Sequence, residues 1–119
     1  MGGPPNVTVP NVKLFVKLEG EAKHHQGQRE GIYIIGNRPV NNRSHWVQEI
    51  GNWSSRSALW YTYTNGIGNW NIGLVNDLGS HTVGLMSNAS KEGPEKCIWN
   101  FFDGKKWKSA NMTITAMGK

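Results

Sequence analysis

The residues of this chain with the clearest chemistry are aromatic rings set among amide and cationic side chains. Six tryptophans occur in 119 residues. Aromatic faces stack on sugar rings or bases, while Asn, Arg and His side chains hydrogen-bond the hydroxyl groups or base edges beside them. Trp53 lies in a turn-like segment, residues 51–55, so it is the tryptophan expected at the surface. The predicted ligand-binding residues are Trp53, Arg38, Asn52, Asn69 and His45.

The other tryptophans have a second interpretation, in which they build the core of a small β domain. One aromatic ring buries roughly 150–250 Å², so a few of them fill much of a small interior. Glycine-containing turns lie close to several of them in the sequence. The predicted structural landmarks are Trp46, Trp60, Trp70, Gly79, Trp99, Gly104 and Trp107.

Acid–base and nucleophilic chemistry have little support in the residue pattern. The eight acidic residues form no pair expected to face each other across a cleft, as hydrolysis by two carboxylates requires. The four histidines lack the HxH and HExxH spacings, and the glycines form no phosphate-binding loop. The one cysteine, Cys97, is expected in a buried strand over residues 97–102. We therefore predict no enzyme activity, no catalytic residue, no metal site and no cofactor.

The net charge of +5 is spread along the chain, except at Lys105, Lys106 and Lys108. A basic surface attracts anionic partners, but a solvated rim of lysines has the same composition. Nucleic acid is therefore neither supported nor excluded, and the predicted partner is a protein or a glycan. No apolar run approaches the roughly 20 residues of a membrane helix, so no membrane span is predicted.

The features that bear on cellular location disagree. The N-terminal residues lack the charged and apolar regions of a signal peptide, and a single cysteine excludes an intramolecular disulfide, which together favour the cytoplasm. N-glycosylation sequons favour an extracellular module, although polar β-turns have similar sequences. The location stays open. The five sequons begin at Asn6, Asn42, Asn52, Asn88 and Asn111.

The elements that would position these residues are short β-strands. Apolar residues alternate with polar ones in residues 12–18, and the Asn65-Gly66 pair after residues 58–64 is typical of a hairpin turn. The polar, aperiodic residues 20–30 predict a loop, and residues 1–10 a flexible lead-in. The fold class is all-β: a single small antiparallel barrel or sandwich of about seven to nine short strands over residues 11–119. Further strands are predicted over residues 31–35, 45–50, 70–74, 82–86, 97–102, 106–107 and 111–116.

An ordered set of motifs extends over residues 31–108. They are Gly31-x-Tyr33, Asn37-Arg38-Pro39-Val40, Trp46, Leu59-Trp60-Tyr61, Trp70-x-Ile72-Gly73, Leu78-Gly79-Ser80, Ser87, Pro94, Trp99, Asp103-Gly104 and Trp107. This order resembles a small Trp/Gly-rich β module that recurs in tandem or multi-domain eukaryotic proteins. The chain departs from that pattern where Asn37-Arg38-Pro39 lacks the glycine of the module's Asn-Gly-Arg-Pro motif and where Val40 replaces its usual aromatic residue. The resemblance implies a non-catalytic β domain that serves as an accessory unit.

Three functions remain as hypotheses from the sequence. The first is a non-catalytic module for interaction with a partner, and the second is a lectin-like domain that binds carbohydrate through exposed Trp and Asn. The third is a β-barrel that encloses a small apolar ligand. The exposure of the tryptophans separates the first two, because a glycan platform needs at least one ring at the surface.

Overall fold

The computed structural model describes residues 12–51 and 55–117. Within these ranges the strands are β1 (Leu14–Glu19), β2 (Gly31–Ile35), β3 (Trp46–Gln48), β4 (Ser57–Thr64), β5 (Ile67–Leu74), β6 (Leu85–Ser87), β7 (Trp99–Phe102), β8 (Trp107–Ser109) and β9 (Asn111–Ala116). The helix α1 (Gly20–Gln26) follows β1, and short 3₁₀ helices occupy Gly27–Arg29, Val75–Asp77 and Pro94–Lys96. No helix in these described ranges is long and apolar enough to cross a membrane.

The strands form one antiparallel sheet that curls into a nearly closed barrel. Each strand from β1 to β7 pairs with the next one along the chain, and β9 returns to pair with β1. The predicted all-β class is confirmed, with nine strands in the described residues. Of the two predicted architectures, the structure has the barrel.

The β4–β5 hairpin is the longest pairing and shows how the sequence fixes the register. Ser57 pairs with Leu74 at one end and Thr64 with Ile67 at the other. Between them Asn65 and Gly66 both have positive φ, 54° and 80°. Two positive φ angles give the turn whose twist matches that of paired strands, which is the reason Asn-Gly was predicted to close a hairpin here.

Aromatic rings fill the interior of the barrel. Trp46 and Trp70 lie with ring centroids 6.0 Å apart, and Tyr61 meets Trp70 edge-on at 4.9 Å. All three side chains are essentially inaccessible to solvent. They pack with aliphatic residues such as Leu14 and Val16 of β1, whose side chains alternate between the interior and solvent. The volume that an enclosed ligand would need is therefore occupied by the protein's own rings.

The prediction of a loop over residues 20–30 is wrong. Residues 20–26 form α1, which packs against β1, β7 and β9. Ala22 and Gln26 are buried one helical turn apart, and the Gln26 Nε2 donates to the Phe102 carbonyl at 2.9 Å. A stripe of two residues is too short to recognise in a sequence, because the contacts with the strands stabilise this helix rather than its own propensity.

A smaller apolar cluster lies outside the main core. Trp60 and Ala58 of β4 are buried there with Val40, from the loop between β2 and β3, and Val75, from the 3₁₀ helix in the connection after β5. Leu59, which lies between Ala58 and Trp60, belongs to the main core, because successive side chains of a strand point to opposite faces of the sheet. Two loops therefore cover one side of the barrel wall, and the surface between them forms the groove described below.

Candidate functional site

Four of the predicted landmark tryptophans are buried, and each one forms a hydrogen bond with a segment outside the strands. Every one of these indole N–H groups donates to a main-chain carbonyl outside the strands. The pairs are Trp46 with Val12 at 3.1 Å, Trp60 with Ser80 at 2.9 Å, Trp70 with Glu92 at 2.8 Å and Trp99 with Pro94 at 3.2 Å. A buried indole needs such an acceptor, so the rings that fill the core also fix the loops around it.

Trp107 does not follow the prediction that it belongs to the core. Its side chain is 43% exposed and lies against Phe102 with ring centroids 5.5 Å apart. It is part of β8, a strand of three residues that pairs with β7 and ends one side of the sheet. The next residue of β8, Lys108, forms ion pairs with Asp103 and Glu21. The two landmark glycines, Gly79 and Gly104, have φ of 91° and 98°, which favours glycine at both turns.

A groove lies between residues 36–41 and residues 75–79, on the outer face of β2 and β3. It has a volume of about 760 Å³. Its floor includes Ile34 and Val47, which are paired across the two strands. The polar side chains that line it are Asn37, Arg38, Asn41, His45, Arg56 and Asn76. The groove thus combines an apolar floor with many hydrogen-bond donors.

The walls of this groove are tied together by hydrogen bonds. Val40 and Arg43 form a two-way main-chain bridge around Asn41 and Asn42, which both have positive φ. The Asn41 Nδ2 donates to the Tyr61 carbonyl at 2.9 Å and to the Gly79 carbonyl at 3.2 Å, which connects one wall to the strands and to the other wall. Asparagine tolerates this backbone conformation better than other non-glycine residues. The groove is therefore formed before any ligand arrives.

The structure brings together two of the five predicted ligand-binding residues. Arg38 and His45 both line the groove. Asn69 lies elsewhere, on β5, where its Nδ2 donates to the Ser87 carbonyl at 2.8 Å. Asn52 and Trp53 lie outside the described residues, as does the predicted lead-in over residues 1–10.

Arg56 is a groove residue that the sequence analysis missed. It immediately precedes β4, and its Nε donates to the Gly51 carbonyl at 2.8 Å. This hydrogen bond fixes one end of the guanidinium at the groove. In the sequence Arg56 is a cation just before a predicted strand. That position does not distinguish it from the other arginines and lysines that are spread along the chain.

His45 is buried, with 4% of its surface exposed. Its ring leaves no room for a side chain at Gly36, because a Cβ there would lie 2.2 Å from the His45 Nε2. Burial lowers the pKa of His45 and the Arg38 guanidinium lowers it further, while a hydrogen bond with the Arg38 backbone acts in the opposite direction. The imidazole is therefore held neutral beside a cation.

The lowered pKa of His45 predicts a loss of stability in mild acid. As pH falls below 6.5, the ordinary pKa, the unfolded chain takes up a proton before the folded protein does. The stability is thus complete above that pH and decreases below it. His45→Gln is expected to reduce this slope between about pH 7 and pH 5 in urea unfolding, whatever its effect at neutral pH. An unchanged slope would show that another group is responsible.

Two carboxylates, those of Glu49 and Asp103, are engaged in structural contacts. The Glu49 carboxylate forms an ion pair with Lys13 at 2.9 Å, and the Asp103 Oδ1 accepts from the main-chain N–H groups of Lys105 and Lys106. Those two hydrogen bonds are the main reason that the pKa of Asp103 is far below its usual range. These carboxylates support turns and strand ends.

Cys97 does not lie in a strand, contrary to the prediction. It follows the 3₁₀ helix Pro94–Lys96, is partly buried, and its Sγ donates to the Gly93 carbonyl at 3.4 Å. Burial is the main cause that raises the pKa of its thiol. The strand β7 begins two residues later, at Trp99, because the chain leaves the 3₁₀ helix Pro94–Lys96 at Cys97 and pairs with β6 only from Trp99 onward.

Within the part of the chain that the structure describes, the His, Cys, Asp and Glu side chains form no group of three that could hold a metal ion. Comparison of the chain with protein-family models, with curated proteins and with solved structures returned no match. Inference about function therefore depends on the geometry of the protein itself.

Proposed function

We propose that this protein is a non-catalytic binding domain that takes an acidic segment of a partner protein in the groove between residues 36–41 and 75–79. The observation that carries the proposal is the position of Arg38 and Arg56, two cations on the walls of one groove with an apolar floor. An extended segment with one acidic and one aliphatic side chain would match both parts of this surface.

The charge of the groove selects the sign of the ligand. Among the residues that the structure describes, its lining contains two arginines and no carboxylate. A guanidinium binds a carboxylate through two parallel hydrogen bonds, which gives direction as well as affinity. The net charge of +5 adds a longer-range attraction for an acidic partner, which falls as salt is added.

The shape of the groove supports binding of a defined ligand. Its volume of about 760 Å³ lies within the roughly 300–1,000 Å³ that is usual for ligand sites. Asn41 ties the walls together, and the Trp60 indole anchors Ser80 just beyond the second wall. Less conformational entropy is lost on binding to walls that are already ordered.

The contacts of the acidic and thiol groups support binding rather than catalysis. Glu49 and Asp103 neutralise or order neighbouring lysines, and the raised pKa of Cys97 keeps its thiol protonated at neutral pH. A thiol in that state is a poor nucleophile. These three groups therefore contribute to the fold, and recognition is assigned to the arginines of the groove.

Selection from a phage-displayed library of random peptides tests the proposal. Peptides that bind the protein should be enriched in Asp or Glu beside aliphatic residues. The variant Arg38→Ala/Arg56→Ala should bind them at least about tenfold more weakly, since each charge-assisted hydrogen bond contributes roughly 1.5–3 kcal/mol.

The matched control is Lys105→Ala/Lys106→Ala, which removes the same charge from an exposed turn far along the chain. It should retain nearly the full affinity. Equal losses in the two double variants would mean that only net charge matters, and the groove proposal would be wrong. Enrichment of peptides without acidic residues would also contradict it.

A further inference from the structure

A second surface, at the tip of the β4–β5 hairpin, contains an exposed aromatic ring that the groove does not use. Tyr63 is 51% exposed and lies opposite Gly68. Its ring meets the buried ring of Tyr61 at nearly a right angle, with centroids 5.0 Å apart. That contact holds Tyr63 in place, so little rotational freedom is left for a ligand to remove.

Tyr63 lines two hollows of the surface. The larger has a volume of about 490 Å³ and includes Arg43, Ser90 and Lys91. The smaller has a volume of about 250 Å³ and includes Asn41 and Asn42. A chain of small rings that crosses Tyr63 would place one unit in each hollow.

The two hollows differ in charge. The described lining of the larger hollow contains two cations and no carboxylate, while that of the smaller is rich in amide and hydroxyl groups. Arg43 is fixed in place, because its guanidinium lies 4.2 Å from the centroid of the Tyr61 ring and donates to the Lys91 carbonyl through both Nη atoms, at 3.4 Å each. Its Nε is buried with no hydrogen-bond partner among the described residues. Lys91 is exposed.

We propose that Tyr63 is the stacking platform of a second binding site, which takes an oligosaccharide with an anionic group, either a carboxylate or a sulfate. One sugar ring stacks on Tyr63, as the apolar face of a sugar does on an aromatic side chain. The anionic group lies beside Arg43 and Lys91, and the hydroxyl groups of a neutral neighbour meet Asn41 and Asn42. The site uses none of the cations of the groove, so it does not depend on the proposed function.

The residues differ from those that the sequence predicted for glycan binding. That hypothesis used Trp53 as the exposed ring, with Asn52 beside it. In the sequence analysis Tyr63 belongs only to residues 58–64, the first arm of the predicted hairpin. Its exposure follows from its place at the open end of the hairpin, with a glycine as its cross-strand neighbour. The chemistry is the same, but a different ring supplies it.

Isothermal titration with four defined probes tests the proposal. A hyaluronan tetrasaccharide carries carboxylates, a heparin tetrasaccharide carries sulfates, cellotetraose is neutral, and hexathymidylate combines bases with phosphates. At least one of the two acidic saccharides is expected to bind more tightly than cellotetraose and hexathymidylate. The stronger of the two identifies the anionic group. Equal binding of cellotetraose would overturn the role of the cations, and tighter binding of hexathymidylate would replace the saccharide with a nucleic acid.

Variants of Tyr63 and Lys91 then locate the site. Tyr63→Ala should weaken binding of the acidic saccharide about tenfold, while Tyr63→Phe, which retains the ring, should stay within about threefold. Lys91→Gln should weaken binding about threefold and reduce its dependence on salt. Trp107→Ala and Lys105→Gln are the matched controls, an exposed ring and an exposed lysine elsewhere, and both should bind like the wild type.

Loss of binding in Trp107→Ala but not in Tyr63→Ala would overturn the assignment, as would failure of both acidic saccharides to bind the wild type. Arg38→Ala/Arg56→Ala should leave saccharide affinity nearly unchanged, apart from the small effect of net charge. Failure of this site and failure of the groove are therefore separate results.

Discussion

Replacing Trp70 with alanine is expected to lower the free energy of unfolding by about 3–5 kcal/mol. The ring is 1% exposed, packs against Trp46 and Tyr61, and donates to the Glu92 carbonyl. The change therefore opens a cavity that the packed neighbouring rings do not fill. It also leaves the Glu92 carbonyl without its hydrogen-bond donor. Most domains have only about 5–15 kcal/mol of stability, so this variant should be close to unfolding at physiological temperature.

The measurement is urea unfolding followed by circular dichroism, with Trp107→Ala as the matched control. Both variants lose one indole, but Trp107 is 43% exposed, so its loss should be below about 1 kcal/mol. Trp70→Phe should fall between the wild type and Trp70→Ala, because it keeps most of the packing and loses the hydrogen bond. Similar losses for Trp70→Ala and Trp107→Ala would contradict the division of the tryptophans into core and surface.

Gly68→Ala is expected to destabilise the protein by about 2–3 kcal/mol or more, although it adds a single methyl group. A Cβ at this position would lie 1.9 Å from the Tyr61 Oη and 2.2 Å from its Cζ. The Tyr61 ring has little freedom to move, because it packs against Trp70 on one side and under the Arg43 guanidinium on another. The φ of Gly68 is not in the left-handed region, so the effect is steric.

The matched control for Gly68→Ala is Gly27→Ala. A Cβ at Gly27 would lie 3.8 Å from the Lys23 Cγ, an ordinary contact, and φ there is −59°. That change should be neutral or stabilise slightly, since alanine loses less backbone entropy than glycine on folding. Thermal unfolding of the two variants compares them directly. Equal stability of both would mean that the Tyr61 ring does not cover Gly68.

The strands could be predicted because their signals are local. The alternation of apolar and polar residues over β1, the β-branched run of β2 and the Asn65-Gly66 turn each follow from the side chains of a few neighbours. The bounds predicted for β2 and β9 agree with the structure. The helix α1 was missed, because its stability comes from residues far along the chain, including Phe102.

The candidate site could be predicted only in part, because its parts are distant in the sequence. Arg38 and His45 are close enough to be considered together, whereas Arg56 and Asn76 reach the same groove only when β4 and the loop after β5 pack beside β3. The exposure of Trp107 depends on the end of the sheet and that of Tyr63 on the end of a hairpin. Neither property is encoded in the residue itself.

The most direct test of the proposed function is an NMR titration of the ¹⁵N-labelled protein with the most strongly selected acidic peptide. We predict that the largest amide shifts fall in residues 36–41, at Arg56 and in residues 75–79. The double variant Arg38→Ala/Arg56→Ala should lose these shifts at the same peptide concentration, while its own spectrum remains that of a folded protein. Shifts confined to other parts of the barrel, or equal shifts in the double variant, would contradict a binding domain that uses this groove.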